Sequence, residues 1–189
     1  MNILGLAASP RKGGNTDILL KSFLEGAAQD GIETEIIHLV DLDISPCMGC
    51  ETCFEDGQCM IEDDASRVYD KLLLSDMLVL ATPVYFYSVS SHAKLLIDRC
   101  QCLWARRYKL ELRTGSDNGV GVMLSTGGSG GPKMFEGIKL TAKYFFDSLG
   151  KKMAGSLTYS NIDRKGSILE HPNALEEAAS LGRELIGHL

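Results

Sequence analysis

The chain has 189 residues, of which 44% are hydrophobic and 23% are charged, and its formal net charge is −6 at pH 7. The length suits one domain of common size, so we expect a single domain over residues 1–189. The negative charge gives no electrostatic footprint for nucleic acid, and no apolar stretch approaches the ~20 residues of a membrane span. Six cysteines without a signal-peptide pattern favour a cytoplasmic protein with neither a nucleic-acid nor a membrane partner.

Strand and helix patterns alternate along the whole chain. In chain order the patterns predict a strand at residues 2–8, a helix beginning at residue 15 or 16 and ending at 31, a strand at 33–39, a helix from 63 or 64 through 73, a strand at 77–81, a helix at 90–103, a strand at 120–125, a helix at 133–149, a weaker strand at 153–159 and a helix at 174–186. Residues 106–118 are the least regular segment, which suggests a lid or a subunit contact.

The alternation of apolar strands and helices predicts an α/β fold with a parallel sheet that helices cover on both faces. Five strands favour a flavodoxin-like, doubly wound sheet in the order 2-1-3-4-5. In such a sheet a ligand binds at the carboxyl ends of the strands, where the strand order reverses between the first and third strands.

The turn after the first predicted strand carries the features of a phosphate site. It offers free backbone N–H groups at a helix N-terminus, where the helix dipole favours an anion. Ser9 and Thr16 add hydroxyl groups, Asn15 adds an amide, and Arg11 and Lys12 add positive charge. The turn matches neither the Walker loop nor the dinucleotide-binding glycine pattern. An ordinary solvated turn is the alternative.

Two further loops follow the third and fourth predicted strands. Residues 82–88 contain the aromatic side chains of Tyr85, Phe86 and Tyr87, which can line a flat apolar ring. Packing of these rings against the next helix is the alternative. The glycines of residues 125–131 would let the backbone approach a ligand closely, and they would equally suit a flexible loop.

Four cysteines fall within thirteen residues at the spacing C-x2-C-x2-C-x5-C. They are Cys47, Cys50, Cys53 and Cys59. A four-iron four-sulfur (4Fe–4S) cluster needs one thiolate at each iron, and closely spaced cysteines followed by a longer arm can surround such a cluster. The spacing therefore predicts that one cluster binds all four cysteines.

Other chemistries are open for these thiols. Zinc also takes four thiolates, although its usual ribbon separates two C-x-x-C pairs by a long stretch. Redox-active or free thiols and a structural disulfide framework are further alternatives. Cys100 and Cys102 lie outside the motif in a helical segment, where we expect buried small side chains.

Three loops and the cysteine motif together resemble a known family. Residues 9–16 (SPRKGGNT), residues 83–87 (PVYFY) with Lys94, Asp98 and Arg99 downstream, and residues 126–128 (TGG) resemble the FMN-binding loops of NAD(P)H-dependent FMN reductase-like flavoproteins. The cysteine motif is similar to that of the iron–sulfur flavoprotein subfamily, whose members carry FMN and a 4Fe–4S cluster.

The resemblance implies roles for specific residues. The residues implied to hold the phosphate are Ser9, Arg11, Lys12, Asn15 and Thr16. The residues implied to surround the isoalloxazine ring are Pro83, Val84, Tyr85, Phe86, Tyr87, Thr126, Gly127 and Gly128. The metal ligands would be Cys47, Cys50, Cys53 and Cys59. No catalytic side chain is assigned, because electron transfer through a flavin requires none.

These features predict an electron-transfer oxidoreductase. FMN can exchange two electrons as a hydride or pass them singly, and a cluster carries one electron at a time. A one-electron donor such as ferredoxin would then supply a two-electron acceptor through the flavin. The alternative is an NAD(P)H-dependent FMN or quinone reductase without a cluster, and a third possibility is a redox- or metal-sensing protein without turnover.

The resemblance also implies an oligomer. Iron–sulfur flavoproteins are oligomers in which the cluster approaches the flavin of a neighbouring subunit. We therefore expect a homodimer or homotetramer, with residues 106–118 and the cysteine loop at residues 47–59 contributing to the contacts.

Overall fold

The computed structural model describes residues 1–112, 115–116 and 118–187 and contains a five-stranded sheet. All strands run parallel in the order β2-β1-β3-β4-β5, which confirms the predicted flavodoxin-like topology. The strands are β1 Asn2–Ala7, β2 Glu33–His38, β3 Met77–Pro83, β4 Val120–Thr126 and β5 Lys152–Tyr159.

Helices connect the strands and cover the sheet. They are α1 Asn15–Ala27, α2 Cys53–Asp56, α3 Asp64–Leu74, α4 Ser91–Arg99, α5 Gln101–Tyr108, α6 Glu136–Ser148 and α7 Ala174–Ile186. Short 3-10 turns lie at Leu39–Asp41 and Ser167–Glu170. Over the part of the chain that the structure describes, no helix combines the length and the apolar character needed to cross a lipid bilayer.

The core consists of two apolar layers, one on each face of the sheet. Successive strand residues alternate between them, because side chains along a strand point to opposite faces. Ile3 and Val79 pack with α1 and α7, whereas Leu4 and Leu80 pack with α3, α4, α5 and α6. Every residue of β3 is buried, as expected for the central strand of a covered parallel sheet.

The structure corrects the prediction of one helix over residues 90–103. That helix divides at Cys100 into α4 and α5, and α5 continues to Tyr108. The Arg99 carbonyl, at the division, accepts hydrogen bonds from the Tyr69 hydroxyl and the Cys102 thiol. The Cys100 carbonyl accepts the N–H groups of Leu103 and Trp104, which lie in the first turn of α5.

The segment predicted to be the least regular, residues 106–118, begins within α5, so residues 106–108 are helical. Residues 113, 114 and 117 of this segment lie outside the described residues.

A buried lysine between α6 and β5 makes the stability of the fold depend on pH. Lys151 is 3% exposed, and its ammonium donates hydrogen bonds to the carbonyls of Leu73 and Ser75. Burial lowers the pKa of Lys151 from 10.5 to about 8. The unfolded chain holds this proton more tightly than the folded chain does. The contribution of Lys151 to the free energy of unfolding should therefore rise as the pH increases from about 8 to 10.5. The buried thiols of Cys100 and Cys102, whose pKa values burial raises, contribute with the opposite sign above pH 9.

We expect the Lys151→Met variant to lose this contribution, so that between pH 8 and 10.5 its free energy of unfolding should change less favourably than that of the unmodified protein, by about 1–3 kcal/mol. Urea denaturation at several pH values would measure it. Lys152→Met is the matched control, because Lys152 is the exposed neighbour and its loss changes the net charge equally. An unchanged pH slope in Lys151→Met would assign the dependence to another group.

Candidate functional site

The three predicted loops meet at the carboxyl ends of β1, β3 and β4, which are neighbouring strands. The Ala8 N–H donates to the Ala81 carbonyl, and the Val84 N–H donates to the Thr126 carbonyl, both at 2.9 Å. The Ser90 hydroxyl donates to the Ala8 carbonyl at 2.6 Å. The loops therefore form one continuous surface at the point where the strand order reverses.

The turn between β1 and α1 has a shape that its own polar groups fix. The Ser9 hydroxyl accepts the Arg11 N–H at 3.1 Å, and the Arg11 carbonyl accepts the Gly14 N–H at 2.9 Å. The Asp17 carboxylate accepts the Gly13 N–H at 2.8 Å. Gly13 has a φ of 65°, and a Cβ atom on Gly14 would lie 2.7 Å from the Arg11 carbonyl oxygen. Glycine is therefore required at position 13 by the positive φ and at position 14 by the close approach of the Arg11 carbonyl.

In the first turn of α1, three backbone N–H groups and one hydroxyl have no hydrogen-bond acceptor among the described residues. The N–H groups of Asn15, Thr16 and Asp17 make no hydrogen bond within the described part of the chain. The Thr16 side chain is 1% exposed, and its hydroxyl has no partner among the described residues. Burying a hydroxyl without a partner costs about 1–3 kcal/mol. An anion such as a phosphate would satisfy these groups and match the helix dipole.

Residues 160–168, which follow β5, hold two of the predicted phosphate residues. The Arg11 guanidinium donates to the Asp163 carbonyl at 3.1 Å, and the Asn15 amide donates to the Arg164 carbonyl at 3.0 Å. The Asn15 amide oxygen also accepts the Ile168 N–H at 3.3 Å. Asn15 therefore ties this loop to the turn, a contact that no local sequence signal indicates.

Lys12 also has a protein partner. Its ammonium lies 2.6 Å from the Asp41 carboxylate, and both side chains are about half exposed. Such an exposed ion pair contributes roughly 0–1 kcal/mol and can exchange readily for another anion. Of the five predicted phosphate residues, Thr16 has the hydroxyl group that is both buried and without a partner in the described residues.

A tight aromatic turn lies beyond β3. Tyr85 and Ser88 exchange two backbone hydrogen bonds of 2.9 Å, and these enclose Phe86 and Tyr87. The central residues have φ values of 48° and 61°, where glycine or asparagine is usual. Phe86 is 102% exposed, so its own packing does not hold this conformation. Such strained residues cluster at ligand sites and cost of order 1–3 kcal/mol each.

We expect Phe86→Asn to raise the free energy of unfolding by about 1 kcal/mol, because asparagine tolerates a positive φ. Phe86→Ala is the matched control, since it also removes the ring but lacks the short polar side chain through which asparagine tolerates a positive φ. Urea denaturation of both variants measures the difference. Equal stability of the two variants would contradict the assignment of strain at this position.

Backbone hydrogen bonds to the end of β5 and to the loop after it fix the glycine loop that follows β4. The Gly127 N–H donates to the Tyr159 carbonyl, and its carbonyl accepts the Ile162 N–H, both at 2.9 Å. A Cβ atom on Gly127 would lie 2.5 Å from the sulfur of Met134, and one on Gly128 would lie 3.2 Å from Asp163. These glycines therefore permit close packing of the loop, so it is not simply flexible.

The four motif cysteines line one cavity of about 220 Å³, and Arg99 and Cys102 line the same cavity. Cys47 and Cys50 are exposed, Cys53 is buried, and Cys59 is intermediate. Within the described ranges, no three His, Cys, Asp or Glu side chains are close enough to hold a metal ion. The donor set of four thiols around one cavity fits a metal–sulfur cluster, which takes one thiolate at each of four irons.

The thiols of the motif influence one another. A hydrogen bond from the Thr52 hydroxyl lowers the pKa of Cys50. Burial raises the pKa of Cys53, and the nearby thiols of Cys59, Cys50 and Cys47 raise it further. Four thiolates in this cavity would therefore repel one another, and bound cations would offset that repulsion.

The structure reveals one charged residue of the cavity wall whose role the sequence did not indicate. The Arg99 guanidinium is buried and forms an ion pair with Asp63. It donates to the carbonyls of Ser45 and Ile61 at 3.0 Å, and to the sulfur of Cys59 at 3.4 Å. The sequence placed Arg99 in the family-like pattern, but its partners lie 36 to 54 residues away.

Cys100 and Cys102 are both buried, as predicted. Burial raises the pKa of Cys102 to about 11. Its thiol donates to the Arg99 carbonyl at 3.4 Å while its side chain lines the cavity. Cys102 is thus a protonated neighbour of the four motif cysteines.

Comparison with known proteins places these features in a family. The model of the family described as NADPH-dependent FMN reductase matches residues 1–135. This match confirms the resemblance to FMN reductase-like flavoproteins that the three loops indicated.

Two curated relatives are named iron–sulfur flavoproteins. One, from Methanocaldococcus jannaschii, is 40% identical over 68% of this chain, and one from Methanosarcina thermophila is 34% identical over 68% of it. The aligned regions cover 65% and 64% of those relatives' lengths. A crystal structure of an FMN-dependent NADH-azoreductase from Bacillus anthracis, in complex with FMN, gives a TM-score of 0.72 at 17% identity, covering 98% of this chain and 99% of that one. This last likeness concerns the fold alone.

Proposed function

The chain belongs to the NADPH-dependent FMN reductase family, and on that premise we propose that it is an FMN-dependent oxidoreductase with a 4Fe–4S cluster. The observation that carries the FMN site is the buried Thr16 hydroxyl beside three N–H groups at the start of α1, all without hydrogen-bond partners among the described residues. These groups would hold the FMN phosphate, as helix N-termini hold phosphates elsewhere.

The loops that follow β3 and β4 would hold the isoalloxazine ring. The residues that we propose for this role are Pro83, Val84, Tyr85, Phe86, Tyr87, Thr126, Gly127 and Gly128. The backbone bond between Val84 and Thr126 joins the two loops, and the strained turn supports a ligand-binding role. FMN, when bound, exchanges two electrons as a hydride or passes them singly. The protein's part is to bind, orient and shield it.

The cluster site is proposed at Cys47, Cys50, Cys53 and Cys59. Their common cavity and the names of the two archaeal relatives support this proposal. A cluster there would accept single electrons from a protein donor such as ferredoxin, and NAD(P)H is a possible reductant of the flavin. We place the protein in the cytoplasm, where thiols stay reduced.

A homodimer or homotetramer is part of the proposal. Met48 and Met60, beside the cysteine cavity, are 66% and 57% exposed. A neighbouring groove is lined by Cys47, Trp104 and Tyr144. A second copy that covers these apolar groups would also bring its flavin towards the cluster. Sedimentation of the purified protein as a monomer would contradict this part.

Anaerobic purification followed by absorption, iron and flavin analysis tests the proposed function. We expect one FMN and about four irons per chain, with a broad absorption shoulder beside the flavin bands. Flavin without iron would support the alternative, an NAD(P)H-dependent FMN or quinone reductase. Zinc without flavin would support a sensing protein and contradict the proposal.

A further inference from the structure

A buried positive charge lies against the last cysteine of the motif. Arg99 ends α4, its side chain has no solvent exposure, and its guanidinium contacts the Cys59 sulfur at 3.4 Å. A buried guanidinium is costly unless its hydrogen bonds are satisfied. Here the Asp63 carboxylate and two backbone carbonyls bind the two terminal nitrogens, while Nε has no hydrogen-bond partner among the described residues. The position of Arg99 is therefore well determined.

The partners of Arg99 lie on both sides of the cysteine motif. Ser45 precedes the first cysteine, whereas Ile61 and Asp63 follow the last one. Asp63 also accepts the Ser45 N–H at 2.9 Å and the N–H of Ala65 at the start of α3. One guanidinium thus joins both ends of the segment and donates to a thiol within it.

We propose that Arg99 is a positioning residue that holds Cys59 and raises the reduction potential of the cluster. This inference rests on the proposed function, because it requires a cluster at the motif. An N–H···S hydrogen bond from a cation withdraws electron density from a thiolate, which favours the more negative, reduced state. Hydrogen-bond partners of metal ligands orient those ligands and tune the properties of the metal site.

The fork of the guanidinium is essential to this role. One nitrogen serves Asp63 and Ser45, while the other serves Ile61 and Cys59. A lysine could keep the charge beside Asp63 but could not reproduce both sets of bonds. Arg99→Lys is therefore the test variant, since it preserves the buried ion pair and removes the contact with sulfur.

Arg106→Lys is the matched control. Arg106 also binds the cysteine segment, since its Nε donates to the Gly57 carbonyl at 2.7 Å, but it makes no bond to a cysteine sulfur among the described residues. Redox titration followed by electron paramagnetic resonance measures the cluster potential. We expect Arg99→Lys to shift the cluster equilibrium at least tenfold towards oxidation, about 59 mV for one electron. The FMN content of both variants, and the cluster potential of Arg106→Lys, should equal those of the unmodified protein.

The outcomes separate this inference from the proposed function. Absence of iron in the unmodified protein would overturn both. If the unmodified protein and Arg99→Lys both contain iron and have the same cluster potential, the role of Arg99 is overturned and the proposed function is not. If Arg99→Lys fails to fold, the unmodified protein reconstituted in D2O provides the decision. Its iron–sulfur stretching bands in resonance Raman should shift if an N–H group bonds the ligand sulfur, and unshifted bands would overturn the inference.

Discussion

Replacing any one of Cys47, Cys50, Cys53 and Cys59 by serine should reduce the iron content from about four atoms per chain to less than one. Each thiolate would serve a different iron, so the loss of one ligand exposes one corner of the cluster. FMN content should stay near one per chain, because the proposed flavin loops follow β1, β3 and β4. Iron and flavin analysis of anaerobically purified variants measures both quantities.

Cys102→Ser is the matched control for these variants. Cys102 lines the same cavity and is buried, but its thiol donates to a carbonyl and burial raises its pKa to about 11. We expect its iron content to remain near that of the unmodified protein. Full iron retention in Cys59→Ser would contradict the four-cysteine assignment, and loss of iron in Cys102→Ser would assign a role to the fifth thiol.

The fold followed from the sequence because its main signals are local and repeated. The apolar strands and the helices between them determined a covered parallel sheet, and the strand order came from the rule for doubly wound folds. The start of α1 was also predictable, since SPRKGGNT combines a glycine turn with a helix N-terminus. The cysteine motif was recognisable because its four members are close in sequence.

Contacts between distant side chains could not be predicted in the same way. Asn15 binds Arg164 and Ile168, about 150 residues away, so its amide serves the protein as well as any ligand. At the division between α4 and α5, the Tyr69 hydroxyl of α3 donates a hydrogen bond to the Arg99 carbonyl, 30 residues away in sequence. Neither pair leaves a pattern in the sequence around it. Such contacts appear only when the elements are packed together.

Thr16→Val should weaken FMN binding by roughly ten- to a hundredfold and leave riboflavin binding almost unchanged. A hydrogen bond to a charged group contributes roughly 1.5–3 kcal/mol, and valine has the same shape without the hydroxyl. The apoprotein should be no less stable than the unmodified protein, because a buried unpartnered hydroxyl has been removed. Flavin fluorescence titration and urea denaturation measure the two effects.

Thr34→Val is the matched control, since Thr34 is an exposed residue of β2 whose strand partner is Ile3, far from the turn. It should change neither FMN nor riboflavin binding. Equal weakening of both ligands by Thr16→Val would show that Thr16 acts through the ring or the fold. Thr16 is a sharper probe than Arg11 or Lys12, because their side chains already have protein partners. The Thr16 hydroxyl is buried away from water and has no hydrogen-bond partner among the described residues, so a bound phosphate would provide its hydrogen bond.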